Sequence, residues 1–321
     1  MLIFAPLIFQ QMKKLMYYVV WTICYLVSLL PLWILYRVSD LLYYLLYYGI
    51  GYRKKVVRKN LRGAFPEKND SELMAVEKKF YSFFCDYIVE TLKMFSMSDR
   101  QMKKRMQFEG VAEMVDAVKR EGKNFGFIYL GHYGNWEWVS SLTARIHDED
   151  PDVIGGHIYH PLANKVIDRI FLKIRGKGGG VNIPMKETLR HVVVWKKECR
   201  RTIIGFISDQ TPKWSSIHHW TDFFHRKTPV FIGTERIGKQ VDALIFYGDV
   251  ERVRRGYYRC RLTRMVEDVR EYPDFEITDR YVQLLEQTIR KEPAYWLWSH
   301  NRWKRTYEEY EKRKADGLAE R

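Results

Sequence analysis

The sequence predicts an α/β protein: a mixed central sheet flanked by helices, preceded by an N-terminal membrane-anchoring helix. Three observations carry that reading. Short apolar runs recur at Phe125 to Leu130, Val153 to Tyr159, Thr202 to Ile207, Ala243 to Tyr247 and Tyr257 to Thr263, each of strand length. Between and after them lie segments with apolar residues three and four apart, read as helices at Ala163 to Ile174, Lys186 to Lys197, Val230 to Gln240 and Thr278 to Arg290; this alternation argues for an α/β layering. Finally, Leu15 to Tyr36 contains no Asp, Glu, Lys or Arg, which is about the length needed to cross a hydrocarbon core.

The apolar run comes first in the chain. Its flanks favour a retained anchor over a removed signal peptide, because no small-residue cleavage site follows and apolar content resumes at Leu41 to Ile50. Pro31 is expected to break or kink the segment, leaving the part after it along the membrane interface. The cations Arg53, Lys54, Lys55, Arg58, Lys59 and Arg62 follow, against only Lys13 and Lys14 upstream. The positive-inside rule then places the body of the protein on the cytoplasmic side, and the cluster is expected to meet anionic head groups. The expected organisation is an anchor and interfacial helix over 1–52, a main domain over 53–303 and a charged tail over 304–321.

From Asn69 to Met97 the stripe Leu73, Val76, Phe80, Phe84, Tyr87, Ile88, Thr91, Leu92 and Phe95 has helical spacing, with Asn69 or Asp70 as cap. A shorter helix is expected near Val111 to Lys119. The tail from Lys304 reads as a solvated helix or fraying end.

Composition narrows the partners. The chain of 321 residues carries 54 Lys and Arg against 39 Asp and Glu, a net charge of +15. Such a surface attracts nucleic acid, anionic membranes or acidic substrates. The aromatic residues do not interleave with cations as in a nucleic-acid module, so nucleic acid is not an expected partner. Tyr and Trp instead favour the membrane interface. Cys24, Cys85, Cys199 and Cys260 are far apart and form no CxxC pair, so they read as reduced thiols. The histidines at 157 and 160, and at 218, 219 and 225, lack the acidic or thiol partners of a metal centre, and no metal is expected. No Gly-x-Ser-x-Gly elbow is present, which argues against a lipid hydrolase.

The stretch from Tyr129 to Trp138 holds the chemistry. The strand ending at Leu130 is followed by Gly131 and His132, then by Gly134-Asn135, which can turn the chain and cap a helix. Glu137 would lie in the first turn of that helix. A carboxylate five residues after a histidine can meet it across such a turn. The expectation is that Glu137 holds one imidazole nitrogen of His132 and frees the other to take a proton from a hydroxyl. Other polar groups cluster near strand ends, where ligands gather in open α/β sheets: Arg175 before a glycine run, and Asp209-Gln210 after Ile207.

Taken with Val57-Arg-Lys-Asn-Leu-Arg-Gly-Ala-Phe-Pro-Glu67 and the ending Trp298-x-His300-x-Arg302-Trp303-Lys304, these features resemble the lipid A biosynthesis (late) acyltransferases of the lysophospholipid acyltransferase superfamily. The resemblance covers nearly the whole chain and makes 53–303 the catalytic domain. It implies transfer of a fatty acyl chain from an acyl-carrier-protein or coenzyme A thioester to a hydroxyl of a glycolipid such as a lipid A precursor, or of another lysolipid or aminolipid. It also implies a bacterial inner-membrane location. The thioester is already activated, so no cofactor is expected. His132 would be the general base and Glu137 its partner. Arg175, or backbone amides near Gly134, would meet the oxyanion. Asp209 and Gln210 would bind the acceptor sugar or hold Arg175. Asn135 and Arg302 complete the expected substrate-binding set, with packing as the other reading of Arg302. Relatives that acylate glycerol phosphates carry a Glu-Gly-Thr-Arg type motif where this chain has Asp209-Gln-Thr-Pro212; the departure favours a glycolipid acceptor.

Overall fold

The computed structural model describes residues 5–318; the extreme ends of the expected anchor (1–4) and tail (319–321) lie outside the described residues. The chain begins with two apolar helices, α1 (Ala5–Leu29) and α2 (Leu32–Tyr44), which continues into a π-helical turn at Leu45–Ile50. Across Leu30-Pro31 the axis bends by 111°. Proline supplies no N–H and cannot continue α1. The last carbonyls of α1 are met from outside instead: Lys93 Nζ donates to Ser28 O at 2.7 Å and Leu30 O at 3.0 Å, and Ser96 Oγ to Ser28 O at 2.6 Å. Among the described residues no single helix is long and apolar enough to cross a membrane; the bent pair passes that test only as a pair. The apolar segment expected as an anchor over Leu15 to Tyr36 is therefore two helices at an angle, with the break at Pro31 that its sequence predicts.

Helix α3 (Lys54–Ala64) contains most of the basic cluster. Three arginines of the cluster have partners: Arg53, just before α3, donates to Ser299 O at 2.9 Å, Arg58 to Glu77 at 2.8 Å and Arg62 to Asp70 at 3.0 Å. The long helix α4 (Asp70–Lys93) starts at a capping box, with Asn69 Oδ1 accepting from Glu72 N and Glu72 accepting from Asn69 N. Then come α5 (Asp99–Arg105), β1 (Met106–Glu109), α6 (Val111–Arg120), β2 (Phe125–Leu130), α7 (Trp136–Val139), α8 (Leu142–Glu149), β3 (Ile154–Tyr159), α9 (Lys165–Arg175), β4 (Val181–Pro184), α10 (Thr188–Lys197) and β5 (Thr202–Ile207). A small antiparallel hairpin, β6 (Trp220–Phe223) and β7 (Arg226–Pro229), precedes α11 (Gly233–Val241), β8 (Leu244–Arg254), β9 (Tyr257–Arg264), α12 (Glu276–Lys291) and α13 (Tyr307–Ala315).

The main sheet is mixed, in the order β1-β9-β8-β2-β5-β3-β4. All neighbours are parallel except β8 and β9, a hairpin. Strand β2 is central and every one of its residues is buried, as a strand covered on both faces must be. On one face Tyr129 stacks on Tyr281 of α12 and Phe127 lies near α11. On the other, Gly126 lets α6 approach: a Cβ there would sit 3.2 Å from Val118. The register of β2 with β5 pairs Leu130 with Ile207. That single pairing positions the site, because both strands end there and their next residues emerge together.

Candidate active site

His132 follows Leu130 by two residues, and Asp209 follows Ile207 by two. They are 77 residues apart in sequence and meet at the same sheet edge, His132 Nδ1 lying 2.5 Å from Asp209 Oδ1. The other carboxylate oxygen, Oδ2, accepts from His132 N at 2.8 Å and from Trp296 Nε1 at 2.7 Å. Burial alone would raise the Asp209 pKa; the His132 charge, and then these N–H donors, overcome it and hold the carboxyl at about 2. An ionised carboxylate only accepts, so Nδ1 carries a proton. In the neutral imidazole Nε2 then has a lone pair, which Gln210 Nε2 approaches at 3.3 Å.

The backbone of this turn is clamped as well. Leu297 N donates to His132 O at 3.1 Å and Gly134 N to Tyr295 O at 2.9 Å, so residues Tyr295 to Leu297 run as a short antiparallel brace along it. Gly134 turns at φ +59, and a Cβ there would lie 2.8 Å from Val250. Its own amide, among the backbone donors expected near this turn, is already bonded to Tyr295.

Glu137 does not hold His132. Its carboxylate accepts from Arg175 Nε at 2.7 Å and Nη2 at 2.6 Å, with Tyr87 OH at 3.3 Å. Helix α7 begins at Asn135, whose Oδ1 accepts from Trp138 N at 3.0 Å, and this cap carries Glu137 round to face the end of α9. The two carboxylates thus have each other's expected partner: Asp209 takes the histidine and Glu137 the arginine. The forked pair is favoured by geometry. Burial would lower the Arg175 pKa, but Glu137 beside it raises it. Arg175 ends α9, so it is no loose cation in a glycine loop; the glycines after it form one 3₁₀ turn and lead into β4.

Asn135 and Arg302, expected among the substrate contacts, are interior residues. Asn135 is fully buried, and its Nδ2 donates to Glu90 Oε2 at 2.8 Å. Glu90 also accepts from Tyr258 at 2.8 Å and from Tyr36 of α2 at 2.9 Å, which connects the N-terminal helices to the turn bearing His132. Arg302 is buried, donates to Pro229 O at 2.9 Å and lies over Phe223; burial pushes its pKa down to about 10.

His132, Glu137, Arg175 and Gln210 open onto a cavity of about 920 Å³. It runs back along the sheet past Leu130 and Ile207 to Ile128 and Ile203, beneath Leu142 and Ile146 of α8. Gly156 and Gly205 form part of its floor, and the missing side chain of Gly205 leaves room there. The stretch of strand from Ile128 to His132 is about 13 Å. Lys186, Lys213, Lys304 and Arg305 also line the cavity. Burial, and then the charges of Arg305 and Arg53, push the Lys304 pKa down. His300 lines the cavity too: its Nε2 accepts from Thr211 N at 3.3 Å, and burial pushes its pKa down to about 4. A polar end with a carboxylate-held imidazole and a long apolar trough suit an amphiphile.

The sequence profile of a family described as bacterial lipid A biosynthesis acyltransferase matches residues 8–305. The chain belongs to this family. It is an acyltransferase, and the match is consistent with the lysophospholipid acyltransferase superfamily. Among curated proteins, none matches it. Sequence reasoning did not assign this acyltransferase the Asp209–His132 pair or Trp296 as a carboxylate donor. The available signal was an Asp two residues past a buried strand, equivalent to the position of His132.

Proposed function

We propose that the enzyme transfers a fatty acyl chain from a thioester, carried by acyl carrier protein or coenzyme A, to a hydroxyl of a glycolipid such as a lipid A precursor. The observation that carries this reading is the Asp209–His132 pair at the polar end of a trough lined by Ile128, Leu130, Leu142, Ile146, Ile203 and Ile207. His132 Nε2 takes the proton of the acceptor hydroxyl while its oxygen attacks the thioester carbonyl. The tetrahedral intermediate collapses with cleavage of the carbon–sulfur bond, and the imidazolium returns the proton to the departing thiolate. Asp209 holds the ring in one tautomer and stabilises its charged form. Arg175 and the Gln210 amide supply N–H donors for the oxyanion. Glu137 contributes by fixing Arg175. The trough takes the acyl chain, and Lys186, Lys213, Lys304 and Arg305 attract the anionic parts of donor and acceptor.

The exposed apolar sides of α1 and α2, including Leu15, Leu26, Trp33 and Leu41, support a place at the inner membrane. The bent pair enters as a re-entrant or interfacial anchor, with the catalytic body on the cytoplasmic side, where activated acyl thioesters are made available. The test is acyl transfer in membranes containing the wild type or His132→Ala, with mass spectrometry of total lipids. Loss of one acyl group from a glycolipid in the variant is expected. Unchanged turnover would remove His132 from the reaction, and an altered lysolipid or aminolipid would reassign the acceptor.

A further inference from the structure

Lys93, Arg105 and Arg255 come from three parts of the chain and converge at the elbow between α1 and α2. With Pro31, Trp33 and Tyr257 they line a cavity of about 430 Å³ that has no carboxylate in its lining. Arg255 is neutralised from behind by Asp40 and Asp86, each at 2.6 Å. The other two cations are not. Lys93 is 8% exposed, and its ammonium is held by the carbonyls of Ser28 and Leu30. Arg105 donates to Gly256 O at 3.0 Å and lies over the Tyr257 ring; among the described residues it forms no salt bridge. Burial lowers the Lys93 pKa, and repulsion from Arg105 lowers it further, as expected of two cations facing one space with no anion between them. Helix α2 also starts here without a side-chain cap, so its first N–H groups add to the positive potential.

Pro31, Leu32 and Trp33 form the apolar part of this cavity's lining. Trp33 is exposed, as are Leu29 and Leu30 just before Pro31 in the chain, and tryptophan next to cations is the composition of a membrane–water boundary. In the basic cluster over 53–62, by contrast, Arg53, Arg58 and Arg62 already have partners in Ser299 O, Glu77 and Asp70. We propose that the elbow cavity holds the phosphate group of an anionic phospholipid whose acyl chains lie along the exposed apolar sides of α1 and α2. The site is separate from the catalytic cavity; it rests on the membrane placement proposed above and not on the acyl-transfer chemistry.

The test uses the full-length protein and vesicles of phosphatidylcholine, with and without phosphatidylglycerol, read by flotation in the absence of acyl donor. The wild type should prefer the phosphatidylglycerol vesicles. Arg105→Gln should lose roughly fivefold of that preference, and Arg105→Lys should keep most of it. A Lys55→Gln/Lys59→Gln double variant should behave as wild type. Thermal unfolding of each variant guards against a folding defect. Retained preference in Arg105→Gln, or its loss in the double variant alone, would overturn the site. Displacement of the wild type from the vesicles by inorganic phosphate at constant ionic strength would make it a free-phosphate site. Failure to float with either vesicle would instead sink the membrane placement.

Discussion

Asp209 and His132 stand at equivalent positions beyond the paired residues Ile207 and Leu130, with 2.5 Å between Asp209 Oδ1 and His132 Nδ1. Replacing Asp209 by Asn removes the charge while leaving an oxygen acceptor. We expect the fold to persist and the rate of acyl transfer to fall by roughly 10³-fold or more, the scale seen when a buried histidine partner is neutralised. The carboxyl is held at about 2, below its ordinary 3.8. Its stabilising contribution is therefore complete above the ordinary value and disappears as pH falls from there through about 2. Acid unfolding followed by circular dichroism should show that component in the wild type and not in the variant. Loss of activity at mildly acidic pH cannot then come from protonating Asp209.

The forked pair of Glu137 and Arg175 yields a different prediction. Glu137→Ala leaves a mostly buried guanidinium without its partner, which should cost about 3 kcal/mol of stability. Adding Arg175→Met should recover most of that loss, measured by thermal unfolding in detergent, without restoring acyl transfer. If stability returned together with full activity, neither residue would be needed for the reaction.

Gly205 forms part of the floor of the trough, and an added Cβ would meet only Leu130 at 3.4 Å and Gly156 O at 4.0 Å. A larger side chain there can be accommodated by occupying the trough. Gly205→Val should shift donor preference toward shorter acyl chains, as a fall in kcat/KM for long thioesters of at least about tenfold with little change for short ones. Competition between thioesters of different chain length would measure it; an equal loss for all lengths would mean that the acyl chain lies elsewhere.

His300 is held neutral by burial, with its pKa moved from 6.5 down to about 4. Between those values the unfolded chain binds the extra proton and the folded protein does not. Stability should fall as pH drops through this window, by up to about 3 kcal/mol. His300→Gln should flatten that part of the stability profile, as read from denaturant midpoints at a series of pH values. An unchanged slope would show that another group dominates acid sensitivity there.

Much of this architecture is legible in the sequence. Phe125 to Leu130 and Thr202 to Ile207 are strands over the limits their apolar runs give, and the Asn69 cap starts α4 one residue later. Periodicity is a local property, so it survives without knowledge of neighbours. Sheet order is not local. Nothing in the two apolar runs says that they lie side by side, and without that fact Glu137, five residues from His132, is the natural partner to choose. The same limit hides Trp296, which reaches Asp209 only because the C-terminal strip folds back along the turn. The short strands β1 and β4 and the β6–β7 hairpin lack a sustained apolar pattern. The basic run at 53–62 reads as free charge because its acidic partners, Glu77 and Asp70, belong to the next helix.

The hydrogen bonds from Tyr36 and Asn135 to Glu90 bear on how this enzyme can be handled. A chain shortened to start at residue 53, the obvious route to a tractable sample, would remove Tyr36 from a buried carboxylate and uncover the side of α4 on which Leu35 is packed. Such a product should be inactive even toward substrate dispersed in micelles, because the support for its reactive loop has gone with the greasy prefix. Polar substitutions at outward-facing positions such as Leu15, Leu26 and Leu41 would ease purification and leave that scaffolding intact.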